Sequence, residues 1–187
     1  MPLSVFLNMS FLLNNQKINF DHNDFPMLIS GAEKTGSSFF SVCLIAELVK
    51  SGHKVLFLSA YPMAKEEFRK QIGDKIERAI IIQSGEEEDL IKEIKSIPDL
   101  KERFVLIKNI DVYSHKIFEV LKDSKLVIFS GDLDKCRFAD SLISKVFSSK
   151  IFFSSSKKYP YRLGANLAKF CGEIVGKKYN GVISLNF

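Results

Sequence analysis

Two glycines with four residues between them, set between a short apolar run and a long one, constrain this chain more than any other feature. Residues 27–38 read Met-Leu-Ile-Ser-Gly-Ala-Glu-Lys-Thr-Gly-Ser-Ser. Gly31 and Gly36 permit a tight turn and a close backbone approach, and the apolar segment from Ser37 onward is a helix whose N-terminal amides and dipole face that turn. The pattern G-x-x-x-x-G-K-[ST] marks loops that cradle phosphates with backbone N–H groups, the lysine reaching the terminal phosphates and the hydroxyl holding Mg²⁺. Here Gly31, Gly36 and the hydroxyl of Ser38 are in place, but Ser37 stands where the lysine belongs. Inside the loop, Lys34 and Thr35 complete the candidate phosphate contacts. Lys34 either folds back to supply the missing charge or is a solvated loop residue.

Beyond this loop the chain alternates two kinds of segment. Continuous apolar runs at Met27–Ile29, Val55–Leu58, Ala79–Ile82, Phe104–Ile107, Leu126–Phe129 and Ile151–Phe153 predict strands buried on both faces, as in parallel sheets. Helical patterns lie between them at Ser37–Lys50, Met63–Ile72, Glu86–Ile94, Tyr113–Lys122 and Phe138–Phe147. This order predicts an α/β fold, a doubly wound, mainly parallel sheet with helices on both faces. Residues 172–187 read instead as a C-terminal β-hairpin turning at Gly176–Gly181, and residues 1–24 as an N-terminal extension. With 187 residues, 46% of them apolar, one domain accounts for the whole chain.

Composition narrows the chemistry. Cys43, Cys136 and Cys171 are scattered and have no His partners nearby, so they read as reduced thiols and not as metal ligands. The apolar stretch Val5–Leu13 is short, interrupted by Asn8 and Ser10, and too short to span a bilayer, so the expectation is a cytoplasmic protein with no membrane contact. His22, His53 and His115 are isolated, and no G-x-S-x-G elbow supports a hydrolase triad. Charge is uneven: residues 1–115 carry 14 Lys/Arg against 16 Asp/Glu, and residues 116–187 carry 13 against 6. The basic part is either a solvated surface or a nucleic-acid contact. Lys157, Lys158 and Arg162 flank Tyr159 and Tyr161, a mixture suited to phosphate contact and base stacking and equally to an exposed loop.

The strand after the first helix, Lys54-Val-Leu-Phe-Leu-Ser-Ala-Tyr-Pro62, and the order of elements from Phe25 to Phe153 resemble the RecA- and KaiC-type phosphate-loop ATPases. That resemblance implies a RecA-like fold and a glutamate at the end of this strand that activates water. Tyr61 and Pro62 stand there instead, and neither is a general base near neutral pH. It also implies an aspartate at the end of a later apolar strand to hold Mg²⁺. In Arg103-Phe-Val-Leu-Ile-Lys-Asn-Ile-Asp111, Lys108 and Asn109 occupy that place, and a cation is the opposite of what a metal needs. Lys108 is therefore expected to substitute for the metal's charge, pairing with an acidic neighbour such as Glu33 or approaching an anion at the loop. Asp111 reads as a cap for a helix beginning near Tyr113. Glu66 and Glu67 read as solvent-facing helix charges. Ser130, after the next strand, is either the polar residue that senses a γ-phosphate in the resembling ATPases or a turn residue.

Three departures, at Ser37, Tyr61 and Lys108, remove the phosphate lysine, the water-activating carboxylate and the metal carboxylate. The chain thus looks like members that keep the fold without its catalytic residues, such as Elongator accessory subunits and divergent recombinase paralogues. The leading expectation is a non-catalytic binding, assembly or regulatory subunit. Its partners would be related RecA-like subunits in a homo- or hetero-oligomer, its candidate ligand ATP or ADP, and it would hold no metal. The alternatives are a weak ATPase using Lys34 and Asp111, a nucleotide sensor, and a recombinase-like accessory protein that binds nucleic acid.

Overall fold

The computed structural model describes residues 10–18, 20–32, 34–121, 124, 127–136, 146–154 and 171–186. Its apolar runs become strands of one sheet: those at Met27–Ser30, Val55–Ser59 and Phe104–Lys108 are buried along their whole length, as the covered strands of a parallel sheet are, and the run from Ala79 to Gln83 at the sheet edge is half-buried. Among the described residues the order is β2-β1-β10-β9-β8-β3-β7-β6-β4-β5. The strands are β1 (Ser10–Leu13), β2 (Gln16–Ile18), β3 (Met27–Ser30), β4 (Val55–Ser59), β5 (Ala79–Gln83), β6 (Phe104–Lys108), β7 (Val127–Gly131), β8 (Ser149–Phe152), β9 (Cys171–Gly176) and β10 (Asn180–Asn186). Strands β8, β3, β7, β6, β4 and β5 pair in parallel, and β9, β10, β1 and β2 continue the sheet antiparallel.

Alternate residues of the central strands feed two cores. Met27, Ile29, Val55, Phe57, Leu106 and Ile128 share one with Phe40, Leu44 and Leu48 of helix α1 (Ser37–Lys50) and Phe68 and Ile72 of α2 (Pro62–Ile72). Leu28, Leu56, Leu58, Val105, Ile107 and Phe129 share the other with Leu90 and Ile94 of α3 (Glu87–Lys95) and Ile117 and Leu121 of α4 (Lys116–Leu121). Stacked rings tie helix to strand on each side, Phe57 on Phe68 at 4.5 Å and Phe118 on Phe129 at 4.3 Å between centroids. The parallel strands end along one edge of the sheet. The turns after β3, β4, β6 and β7 therefore meet there, where ligands bind in doubly wound folds.

Two expectations need correction. The segment read as an N-terminal extension enters the sheet. Ser10–Leu13 and Gln16–Ile18 form a hairpin, and β1 pairs with β10 from Ser10↔Asn186 to Leu13↔Ile183. Its turn is Asn14-Asn15, both left-handed at φ 49 and 69, a conformation that asparagine tolerates and tight hairpins require. The second correction concerns α4, which starts at Lys116 and not near Tyr113. Tyr113 is fully buried and donates its hydroxyl to the Ser84 carbonyl at 2.8 Å, which pins it in the turn before the helix. The C-terminal hairpin is present as β9 and β10. The helix read over Phe138–Phe147 falls largely outside the described residues. No described helix is long and apolar enough to cross a membrane.

Because the Phe57–Phe68 stack anchors α2 beside the turn after β4, Phe68→Ala should cost about 3–5 kcal/mol of unfolding free energy in urea titrations. A loss below about 1 kcal/mol would mean that α2 does not depend on this stack.

Candidate functional site

The loop after β3 is built as its glycines require. A Cβ on Gly31 would lie 2.6 Å from Thr35 Oγ1 and 2.8 Å from Phe153 Cβ, so only glycine fits. Gly36 caps α1 in a left-handed conformation, φ 98, and its carbonyl accepts the Phe40 N–H at 2.9 Å. Thr35 Oγ1 donates to the Ala32 carbonyl at 2.8 Å, and the Ala32 N–H donates to Ser154 Oγ at 2.8 Å. Ser154, two residues past β8, thus anchors this loop. Ser37 turns back onto the loop and donates to the Gly31 carbonyl at 3.4 Å, so it cannot reach outward as a lysine would. Lys34 is exposed, with φ 66.

Lys108, the last residue of β6, is only 4% exposed and reaches under the loop. Its Nζ donates to Ser38 Oγ at 2.8 Å, Ser41 Oγ at 3.2 Å and Ser130 Oγ at 3.3 Å. Ser130 in turn donates to Ser41 Oγ at 3.1 Å, and Ser41 to the Ser38 carbonyl at 2.8 Å. This network joins β6, α1 and β7 at the heart of the site. Burial pulls the Lys108 ammonium down to about 8, against the carboxylates of Glu67 and Asp111, which favour its charge. The expected pairing with Glu33 cannot be followed, since that residue is outside the described ones.

Around this centre lies a cleft of ≈ 600 Å³ reached by Lys34, Ser38, Tyr61, Glu67, Asp111 and Asp132, among others. Tyr61 is 54% exposed at the start of α2. Asn109, left-handed at φ 61, has its Oδ1 3.3 Å from Ser59 Oγ, which fixes the turn after β6 against the end of β4. Asp111 does not cap a helix: its Oδ1 accepts the Asp132 N–H at 3.3 Å, tying the turns after β6 and β7. Ser130 lies within β7, buried, and not in a turn. Glu67 is half-buried and lines the cleft, where the sequence reading had placed it toward solvent. The buried pair Phe68 and Ile72 fixes the inner stripe of α2, and Glu67 precedes Phe68 at its margin. Lys157, Lys158, Tyr159, Tyr161 and Arg162 are outside the described residues.

A divalent cation does not fit this arrangement. Ser38 Oγ, the hydroxyl that would ligate it, already accepts from an ammonium, and a second cation there would meet Lys108 at contact distance. Among the described residues no three of His, Cys, Asp and Glu gather closely enough to hold a metal ion. The Ser38 hydroxyl, the N-terminal end of α1 and the Lys108 ammonium beneath them are donors that suit an anion, set beside the carboxylates of Glu67, Asp111 and Asp132.

The buried lysine gives a signed pH dependence. Its folded value, about 8, lies below the ordinary 10.5 of the unfolded chain. Between these the unfolded state binds more protons, so the stability due to this group rises with pH and is lost as pH falls through about 8. The stability difference between wild type and Lys108→Met should therefore move in favour of the wild type by on the order of 3 kcal/mol from pH 7 to 10.5, read by urea unfolding across that range. A constant difference would show that Lys108 is not held in a desolvated site.

No protein-family model matches the chain, and no curated protein matches it. Solved structures do. EssC (ATPases 2 and 3) from Geobacillus thermodenitrificans superposes with a TM-score of 0.65 at 13% identity, over 97% of this chain and 41% of that one. The cytoplasmic domain of the Thermomonospora curvata type VII secretion ATPase EccC gives 0.63 at 13% identity, over 94% of this chain and 25% of that one. The flagellar accessory protein FlaH from Methanocaldococcus jannaschii gives 0.57 at 12% identity, over 86% and 88%. The chain thus spans less than half of the EssC and EccC chains and most of FlaH. At these identities the likeness is one of fold, and the fold is that of the RecA-like phosphate-loop ATPases.

Proposed function

We propose that this chain is a non-catalytic RecA-like domain, a binding, assembly or regulatory subunit whose loop keeps an anion- or nucleotide-binding role without hydrolysis. One observation carries the reading: the Lys108 ammonium sits 2.8 Å from Ser38 Oγ, in the place where hydrolysis would need a metal and its carboxylate. The phosphate lysine is replaced by Ser37, which is turned inward, and the end of β4 offers the phenol of Tyr61, not a carboxylate. Glu67 is a carboxylate in the cleft, but it stands on α2 and its charge favours the cationic form of Lys108.

The partner that suits this fold is a related RecA-like subunit. Tyr61 and Met63, 54% and 84% exposed, put apolar surface at the lip of the cleft. FlaH, a solved neighbour of similar extent, is itself an accessory protein.

Purified protein should release no phosphate from ATP above background, with or without Mg²⁺, and Ser37→Lys should not restore turnover. Steady Mg²⁺-dependent release that Lys34→Ala abolishes would overturn the proposal. For assembly, Met63→Asp should shift the protein toward monomer in light scattering after size exclusion. An unchanged mass would remove this lip from the interface.

A further inference from the structure

The hydroxyl of Ser38 faces the cleft as a donor, and the hydrogen-bond count around Lys108 shows why. An ammonium has three N–H donors and no acceptor, and a serine hydroxyl has one donor and two lone pairs. All three Lys108 donors are used, on Ser38, Ser41 and Ser130. The Ser41 hydrogen goes to the Ser38 carbonyl and the Ser130 hydrogen to Ser41 Oγ. Ser38 Oγ accepts from Lys108, and its own hydrogen has no acceptor among the described residues. Ser38 is exposed and lies on the cleft wall. The usual polarity of this position is inverted: a lone pair that would hold a metal is spent on the ammonium, and the O–H polarised by that ammonium is left free to donate into the cleft.

We propose that the cleft binds a free phosphoryl anion of the di- or polyphosphate class without a divalent metal, through the Ser38 hydroxyl and the loop amides. This rests on the reading that the loop still binds an anion. Two more cations, Lys34 and Lys135, border the cleft, as do Glu67, Asp111 and Asp132, and Lys135 is 3.6 Å from Asp132. The fixed charges of the wall are balanced, so recognition depends on the directed donors. Mg²⁺ bound to the ligand must be stripped before the phosphoryl group reaches Ser38, because the ammonium already stands where the ion would sit. Magnesium therefore competes with the protein for the ligand.

Isothermal titration of the full chain with inorganic pyrophosphate and with ADP, each in EDTA and in excess Mg²⁺, tests this. The expected result is a dissociation constant in EDTA equal to or lower than that in Mg²⁺, weakened about tenfold or more by Ser38→Ala, which removes a hydrogen bond to a charged group. Ser38→Ala also removes one acceptor of the buried Lys108 ammonium, so its thermal midpoint should fall, and titrating both proteins well below that midpoint separates lost binding from lost folding. Binding that appears only with Mg²⁺, without turnover, would overturn this inference and leave the non-catalytic reading standing. Unaltered affinity in Ser38→Ala would also overturn it. No heat with either probe under either condition would remove both the inference and the anion-binding part of the proposed function.

Discussion

The interaction on which the site depends is a buried lysine held by three serines. A cation at the end of a central strand is costly to desolvate, and it persists only where hydrogen bonds replace the lost water. Lys108 meets that condition through Ser38, Ser41 and Ser130, which come from the first helix and from the strand beside its own. The ammonium is thus a structural cross-link as well as a charge. It ties the start of α1 to β6 and β7, the elements that a bound metal and its ligands would otherwise hold together.

The geometry around it follows from the sheet. Strands β3, β7, β6 and β4 run parallel, so their C-terminal turns open along one edge. Close packing then restricts which residues the turns accept. Gly31 has no room for a Cβ, and a Cβ on Gly131 would sit 2.6 Å from Asp111 Oδ1. The turn after β6 is locked by Asn109 in a left-handed conformation and by Asp111 accepting from the turn after β7. The turns that border the cleft are accordingly held by their own packing and hydrogen bonds.

Much of this was legible in the sequence because strong local patterns agreed with the tertiary fold. The unbroken apolar runs at Val55–Leu58 and Phe104–Ile107 are β4 and β6, and α1 spans Ser37–Lys50 as its pattern implies. The place of Lys108 was legible too, since four apolar residues precede it. What surrounds it was not. Ser41 and Ser130 lie 67 and 22 residues away from it in the chain, and nothing local marks a serine as the partner of a distant lysine. Glu67 was misplaced because a charged pair on a helix reads as solvated, although the buried Phe68 and Ile72 show where the inner stripe runs. Asp111 was misread because a polar residue before a helix pattern looks like a cap, and its true partner, the Asp132 amide, comes from another turn. The N-terminal hairpin was missed because β1 and β2 are short, and the pairing of β1 with the distant β10 has no local trace.

The central claim is that an ammonium, and not a metal ion, occupies the position beside Ser38. The most direct measurement is a crystal structure grown with ADP and Mn²⁺, with diffraction recorded for the anomalous signal of manganese. The account predicts Lys108 Nζ in contact with Ser38 Oγ and no anomalous peak between that hydroxyl and the phosphates. An anomalous peak coordinated by Ser38 Oγ, with Lys108 swung away from Ser41 and Ser130, would contradict it.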